Sequence, residues 1–146
     1  MTERVIVIQN NKFEIEFQAT DPHESDSEEF HSVMHINELT PYTMLLCSVG
    51  SCTAIVLHTY AQNHGVDLQE VELHLQYERD FQNDREDTKS SGSYEEKIEE
   101  TLKFRGDLSD QDRQKLLRVA KQCSIHKMLE SGIDINSKLI DQGDKE

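Results

Sequence analysis

The stretch TPYTMLLCSVGSCTAIVLHTYAQNHG, Thr40 to Gly65, decides how the rest of the chain is read. Its opening combines two helix-start signals. A threonine hydroxyl accepts one of the first free backbone N–H groups, and proline fits the first helical position, where no donor is needed. Asn63-His64-Gly65 supplies the stop, with Gly65 suited to the left-handed conformation that ends helices. Between these signals Met44, Leu45, Leu46, Cys47, Val49, Cys52, Ala54, Ile55, Val56, Leu57, Tyr60 and Ala61 occupy every side of a helical wheel. That pattern predicts a helix buried all round, about 23 residues and roughly 34 Å long, running through the middle of the molecule. Two cysteines lie within it. Five positions at about 100° each set Cys47 and Cys52 about 140° apart, so they point to different neighbours and Cys47 is read as packing.

The flanking segments read as β structure. Arg4 to Gln18 has a hairpin pattern: Val5 to Ile8 form a β-branched run, Asn10-Asn11 supply the turn, and Phe13, Ile15 and Phe17 alternate with polar residues and should face the core. Residues 21 to 29, DPHESDSEE, hold five acids with Pro and Ser and read as a solvated acidic loop. A short strand is expected over Phe30 to Ile36. His23, His31 and His35 fall near it, but three histidines without a Cys or carboxylate at ligand spacing do not define a site, so no metal and no cofactor is assigned. After the helix, Val71, Leu73, Leu75, Tyr77 and Phe81 alternate with polar residues as in a half-buried strand. The segment SYEEKIEETLKFRGD fits either period, and its propensity favours helix. Ser109, with Asp112 three residues on, opens a helix in capping-box style, with Leu116, Leu117, Val119 and Ala120 facing inward. Ile125, Met128 and Leu129 predict a further helical turn ended by Gly132. Ile133, Ile135 and Leu139 predict a last strand before the solvated tail 141–146.

Composition narrows the function. A chain of 146 residues suits a single domain, 1–146, and a net charge of −14 disfavours phosphate backbones and anionic lipid, so neither nucleic acid nor membrane is an expected partner. No apolar run is expected to reach bilayer-spanning length and the N-terminus lacks a signal-peptide layout, which points to the cytoplasm. Three cysteines, an odd number, fit free thiols kept reduced rather than a secreted disulfide scaffold.

Two stretches, in order, carry a resemblance to a known family. Pro41-Tyr-Thr-Met-Leu-Leu-Cys-Ser-Val-Gly-Ser-Cys-Thr-Ala54 is one; Leu116-Leu-Arg-Val-Ala-Lys-Gln-Cys-Ser-Ile-His-Lys-Met-Leu129 is the other. With the strands around them they resemble the OsmC/Ohr family, the osmotically induced and organic hydroperoxide resistance proteins, from about Val5 to Ile140. The second stretch is similar to the family's Ala-x-x-Cys-Pro-Val-His-x-x-Leu pattern, with Ser124 in place of proline. The resemblance implies an α+β, OsmC-like fold: antiparallel sheets wrapped around long central helices in an intertwined homodimer. It also makes the ambiguous segment, Lys97 to Arg105, a strand.

For function, the resemblance implies an antioxidant, stress-response thiol peroxidase. Cys52 would attack an organic hydroperoxide, Cys123 would resolve the sulfenic acid as a disulfide, and a dithiol reductant would reopen it. Two family features are absent. The glutamate of the family's Pro-Glu-Glu-Leu-Leu helix opening is replaced by Tyr42-Thr43, and no arginine occurs between Val5 and Glu78, leaving Arg4 and Arg79 as the nearest candidates. Tyr42 either takes over the glutamate's role or fills space, and His126 either assists a cysteine or is solvated. Two other readings therefore stay open: an OsmC-like redox or small apolar ligand-binding protein without peroxidase activity, and an interaction module whose cysteines only pack.

Overall fold

The structure is a computed structural model and describes residues 2–21, 23, 28–80 and 95–140. Most of the acidic loop, Phe81, Tyr94 and the 141–146 tail lie outside the described residues. In chain order the elements are β1 (Thr2–Asn10), β2 (Ile15–Thr20), β3 (Phe30–Ser32), a single 3-10 turn (Ile36–Glu38), α1 (Pro41–His64), β4 (Asp67–Asp80), β5 (Glu95–Asp107), α2 (Asp110–Ala120) and α3 (Ser124–Ser131). The strands form one antiparallel sheet in the order β3-β2-β1-β4-β5. The fold is therefore α+β, and Lys97 to Arg105 is strand, against its local helix propensity. A long neighbouring edge on β4 gives every residue from Glu95 to Asp107 a ladder to join, and that outweighs a weak intrinsic preference.

The hairpin forms at Asn10. Its side-chain oxygen accepts from the N–H groups of Lys12 (2.9 Å) and Glu14 (3.0 Å), and Phe13 takes a left-handed φ of 64°. The predicted third strand stops at Ser32. The Glu38 carboxylate accepts from the N–H groups of Met34 and His35, which turns the backbone out of the ladder into the 3-10 turn.

One sheet face is the core face. Val5 and Val7 of β1 are fully buried, Val5 lies opposite Ala19 and Leu75, and Val7 lies opposite Phe17 and Leu73. On β4 a bulge with Gln69 as its extra residue re-phases the alternation, so that Leu68 and Val71, three apart, both reach the core. Gly106 faces that bulge at φ +148°, where a Cβ would stand 2.0 Å from the Asp67 carbonyl oxygen, so only glycine fits.

The helix α1 lies across this face. Thr40 caps it, its hydroxyl accepting from Thr43 N–H at 3.1 Å, and Gly65 closes it in the left-handed conformation. Leu46, Ala54 and Leu57 are completely buried, each leucine contributing roughly 1.5–3 kcal/mol relative to exposure. His58, also buried, meets the Gln9 carbonyl oxygen at 3.0 Å, and its burial holds its pKa below the usual imidazole value, so it packs as a neutral ring. Two expectations about α1 are corrected. It is not buried all round, because the sheet covers one side and α2 and α3 part of another, leaving Met44 and Ile55 exposed. It is also long and apolar enough to cross a membrane, although half of that stretch is buried inside this fold, as in a core helix.

The capping box of α2 is present: Asp112 N–H donates to Ser109 Oγ (3.0 Å) and Ser109 N–H to Asp112 Oδ2 (3.1 Å). Leu116, Val119 and Ala120 are buried, but Leu117 is exposed, being one position round the helix from the core stripe. The predicted last strand is absent: residues 132–140 leave α3 without a strand beside them, and Ile133, Ile135 and Leu139 are exposed.

Gly50 sets the distance between α1 and the sheet. A Cβ there would stand 2.6 Å from Val7 Cγ2 and 2.9 Å from Leu75 Cδ1, inside van der Waals contact with two core side chains. Gly50→Ala should therefore destabilise the fold by about 1–2 kcal/mol, since overpacking at about 1–3 kcal/mol exceeds alanine's helix advantage. The midpoint of urea unfolding, with unchanged slope, is the readout, and an unchanged or higher midpoint would contradict this packing.

Candidate functional site

Gly50 faces the sheet, and Cys52, two positions on, is turned about 200° round the helix. Its half-buried thiol therefore looks away from the core, toward the N-terminus of α3. The loop between α2 and α3 ends at Cys123, which takes the capping position of α3: its sulfur accepts the N–H of His126 at 3.3 Å, the role usually filled by a serine or aspartate oxygen. Cys123 is completely buried, and its sulfur lies 4.0 Å from the Val49 carbonyl oxygen.

The structure thus brings Cys52 and Cys123 to one place as free thiols, with the hydroxyl of Ser124, the residue after Cys123, 3.9 Å from the Cys52 sulfur. Their environments divide one proton unequally. Partial burial pushes the Cys52 thiol up, but the neighbouring Cys123 thiol, the N–H of Ile125, and the hydroxyl and N–H of Ser124 outweigh it and hold Cys52 below the ordinary thiol value. The Ser124 oxygen lies 3.9 Å from that sulfur. Cys123 goes the other way: burial first, and then the neighbouring Cys52 sulfur, raise it despite the His126 N–H and the Thr53 hydroxyl. Of the two, Cys52 is the one shifted toward the thiolate and Cys123 the one shifted toward the thiol.

The donors on Cys52 come from one place. The first N–H groups of a helix have no partner inside it and carry its positive partial charge, so a thiolate seated there is stabilised without a cation. Ser124 matters for a specific reason. Where the family pattern has proline, this chain has a residue with both an N–H and a hydroxyl, and both reach the sulfur. That contribution was missed in the sequence, although the replaced proline was visible.

The remaining candidates fall elsewhere. Cys47 is buried among apolar side chains, and burial pushes its thiol up to about 11, so it is inert packing. Tyr42 stacks on Tyr77 (ring centroids 4.7 Å apart) and its hydroxyl accepts from Arg79 Nη1 at 3.0 Å, with the guanidinium over its ring. Ten residues of helix, about 15 Å, separate Tyr42 from Cys52, so within one chain this cluster does not reach the sulfur. Arg4 Nε donates to Gln76 on the sheet. His126 acts through its backbone, while its ring sits 3.5 Å from the Glu130 carboxylate. His31 lies on β3 and His35 before the 3-10 turn; among the described residues no group of three metal-ligating side chains converges.

A cavity of about 510 Å³ opens next to Val49 and His126, whose carbonyl oxygen and N–H approach the Cys123 sulfur; neither cysteine itself lines it. Leu45, Val49, Ile98 and Leu129 supply apolar wall. Glu100 also lines it, standing opposite Leu75 in the inward register of β5 between Ile98 and Leu102. Burial raises its pKa, and the Thr53 hydroxyl reaches its carboxylate at 3.5 Å. An acid in an apolar stripe was the available signal for this residue.

A serine-to-proline exchange isolates the α3 donors, because proline is well tolerated at the first helical position and the helix should persist. The pH profile of Cys52 alkylation by iodoacetamide should have its midpoint below that of an ordinary thiol, and Ser124→Pro should move it upward. An unmoved midpoint, with α3 intact by circular dichroism, would remove Ser124 from the account.

Comparison with known proteins agrees with the geometry. Residues 34–138 match the family model described as OsmC-like protein. The fold is similar to the crystal structure of an OsmC-like hydroperoxide resistance protein from Jannaschia sp. CCS1, with a TM-score of 0.59 and 15% identity, covering 98% of this chain and 96% of that one. No curated protein sequence matches the chain significantly. The family match spans both cysteines and every element from the 3-10 turn to α3, and on that ground the chain belongs to the OsmC-like protein family.

Proposed function

We propose that the protein is a thiol-dependent peroxidase that reduces organic hydroperoxides through Cys52 and Cys123. The observation that carries this reading is the asymmetric pair: one thiol lowered by the α3 donors, the other buried beside it and shifted toward the thiol. Membership of the family and likeness to a hydroperoxide resistance protein support the same chemistry.

The Cys52 thiolate attacks the terminal oxygen of the hydroperoxide. The S–O bond forms as the O–O bond breaks, and the alkoxide leaves as the alcohol after taking a proton. Cys52 is then a sulfenic acid. Cys123 attacks its sulfur, the S–O bond breaks, and hydroxide combines with a proton to leave as water. A dithiol reductant supplies the two electrons that reopen the disulfide. A pair that must be reduced on each turnover suits the reducing cytoplasm. The apolar cavity wall suits the alkyl part of the substrate.

The second reading, an OsmC-like redox or apolar ligand-binding protein without peroxidase activity, is favoured by the neutrality of every donor on Cys52 and by Arg79 being engaged with Tyr42. A mass and free-thiol measurement separates the two. One equivalent of an organic hydroperoxide should remove two thiols and two mass units, map to Cys52 and Cys123, and act faster than hydrogen peroxide. Cys52→Ser should abolish peroxide consumption. Three unchanged thiols in the parent protein would favour the second reading.

The working form is an intertwined homodimer. Support comes from apolar surface that one chain leaves open: Met44 and Ile55 on α1, and Ile133, Ile135 and Leu139 beyond α3. A second α1 laid against the first would cover the side that carries Ile55 and the Cys52 surroundings. Light scattering after gel filtration should give twice the chain mass, and Ile55→Glu should shift the protein to monomer. A wild-type monomer at micromolar concentration would refute the dimer.

A further inference from the structure

The cavity next to Val49 and His126 has a charge character that the peroxidase chemistry does not require. Besides Glu100 it is lined by Glu96 and Glu130, against two basic side chains, Lys97 and His126. Both basic groups are already matched by carboxylates. The Lys97 ammonium lies 3.2 Å from Glu99 and 3.6 Å from Glu78, and His126 lies 3.5 Å from Glu130. Glu96 accepts the Tyr77 hydroxyl at 2.6 Å and stands opposite Arg79 in the β4–β5 register, the guanidinium of which is engaged with Tyr42. No donor on Cys52 carries a formal charge. The rest of the chain adds to the field, with a net charge of −14.

We infer that this cavity admits uncharged organic hydroperoxides, such as alkyl hydroperoxides and hydroperoxides of esterified lipid chains, and turns away anionic ones such as free fatty-acid hydroperoxides. The inference rests on the peroxidase reading for the identity of the substrate, but the selection by charge is a property of the cavity itself. An uncharged chain loses nothing on entering a site walled by Leu45, Val49, Ile98 and Leu129. A carboxylate entering the same space leaves water and meets like charge with no free cation to pair with, and both effects oppose it. Because Glu96 and the Glu130 side chain are exposed, their contribution is screened by salt.

Two measurements on the intact protein test this. The first needs no peroxidase activity: Cys52 is alkylated with neutral iodoacetamide and with anionic iodoacetate, modification is mapped by mass, and the rate ratio is divided by the same ratio for free cysteine. The normalised ratio should be at least tenfold in favour of the neutral reagent, should fall in the Glu96→Gln/Glu130→Gln variant, and should shrink as salt rises. A normalised ratio near one, or one that neither the double variant nor salt changes, would overturn the proposal. The second compares methyl linoleate hydroperoxide with linoleate hydroperoxide as oxidant, with the ester expected to react at least tenfold faster and the double variant to narrow the gap. Equal rates would also overturn it. If neither lipid is reduced while the alkylation ratio discriminates as expected, the peroxidase reading fails and the charge selection stands.

Discussion

The close approach of α1 to the sheet at Gly50 is the constraint from which the rest of the site follows. With Val7 and Leu75 against the glycine, the helix can neither roll nor lift without opening the core. That fixes the direction of each residue around it. Leu46, Ala54 and Leu57 go to the sheet, and Cys52 is left on a side where it meets the start of α3. A larger residue at position 50 would displace the helix by a fraction of an ångström, and sulfur hydrogen bonds at 3.3–4.0 Å would lose alignment. Packing in the core and chemistry at the sulfur are thus set by one contact.

Much of this was legible in the sequence because it depends on local rules. Thr40, Pro41 and Gly65 mark the ends of α1 through backbone hydrogen bonding, and Ser109 with Asp112 marks the start of α2 in the same way. The alternation in β1 and β4 reports a single buried face. Where local rules failed, a distant partner decided. The segment from Glu95 to Asp107 has helix-forming residues and became a strand because β4 offers an edge along its whole length. Residues 133–139 alternate like a strand and are not one, because no edge lies beside them in this chain. Leu117 has the right character for the core and the wrong angle on its helix.

The site was legible in its sulfurs and opaque in its activation. Two cysteines in matching motifs nominate the pair that the fold brings near one another, but the missing arginine and glutamate left no visible source for a lowered thiol. The source is backbone N–H groups, which every residue but proline has and which no sequence motif displays. They become significant only when a helix start is aimed at a sulfur, and that aim depends on how the α2–α3 connection crosses α1. Ser124 was the one visible trace, and its meaning is geometric: it stands at the helical position where an N–H has no partner of its own. Glu100 was obscured for another reason: with Lys97 to Arg105 taken as a strand, an acid between Ile98 and Leu102 marks the inward face, but its place on a cavity wall depends on how α1 and α3 pack against that strand.

Activation by neutral donors has consequences that activation by a cation would not. An arginine beside the sulfur would lower the thiol and would also draw anions toward it. The α3 donors lower Cys52 with partial charges that decay within a turn, so they stabilise the sulfur without offsetting the carboxylates of the neighbouring cavity. Cys123, buried beside Cys52, is shifted the opposite way, by burial first and by the Cys52 sulfur second. Because burial is the larger cause, Cys123 stays shifted toward the thiol whatever the charge on Cys52, and only the smaller part of its shift depends on its neighbour.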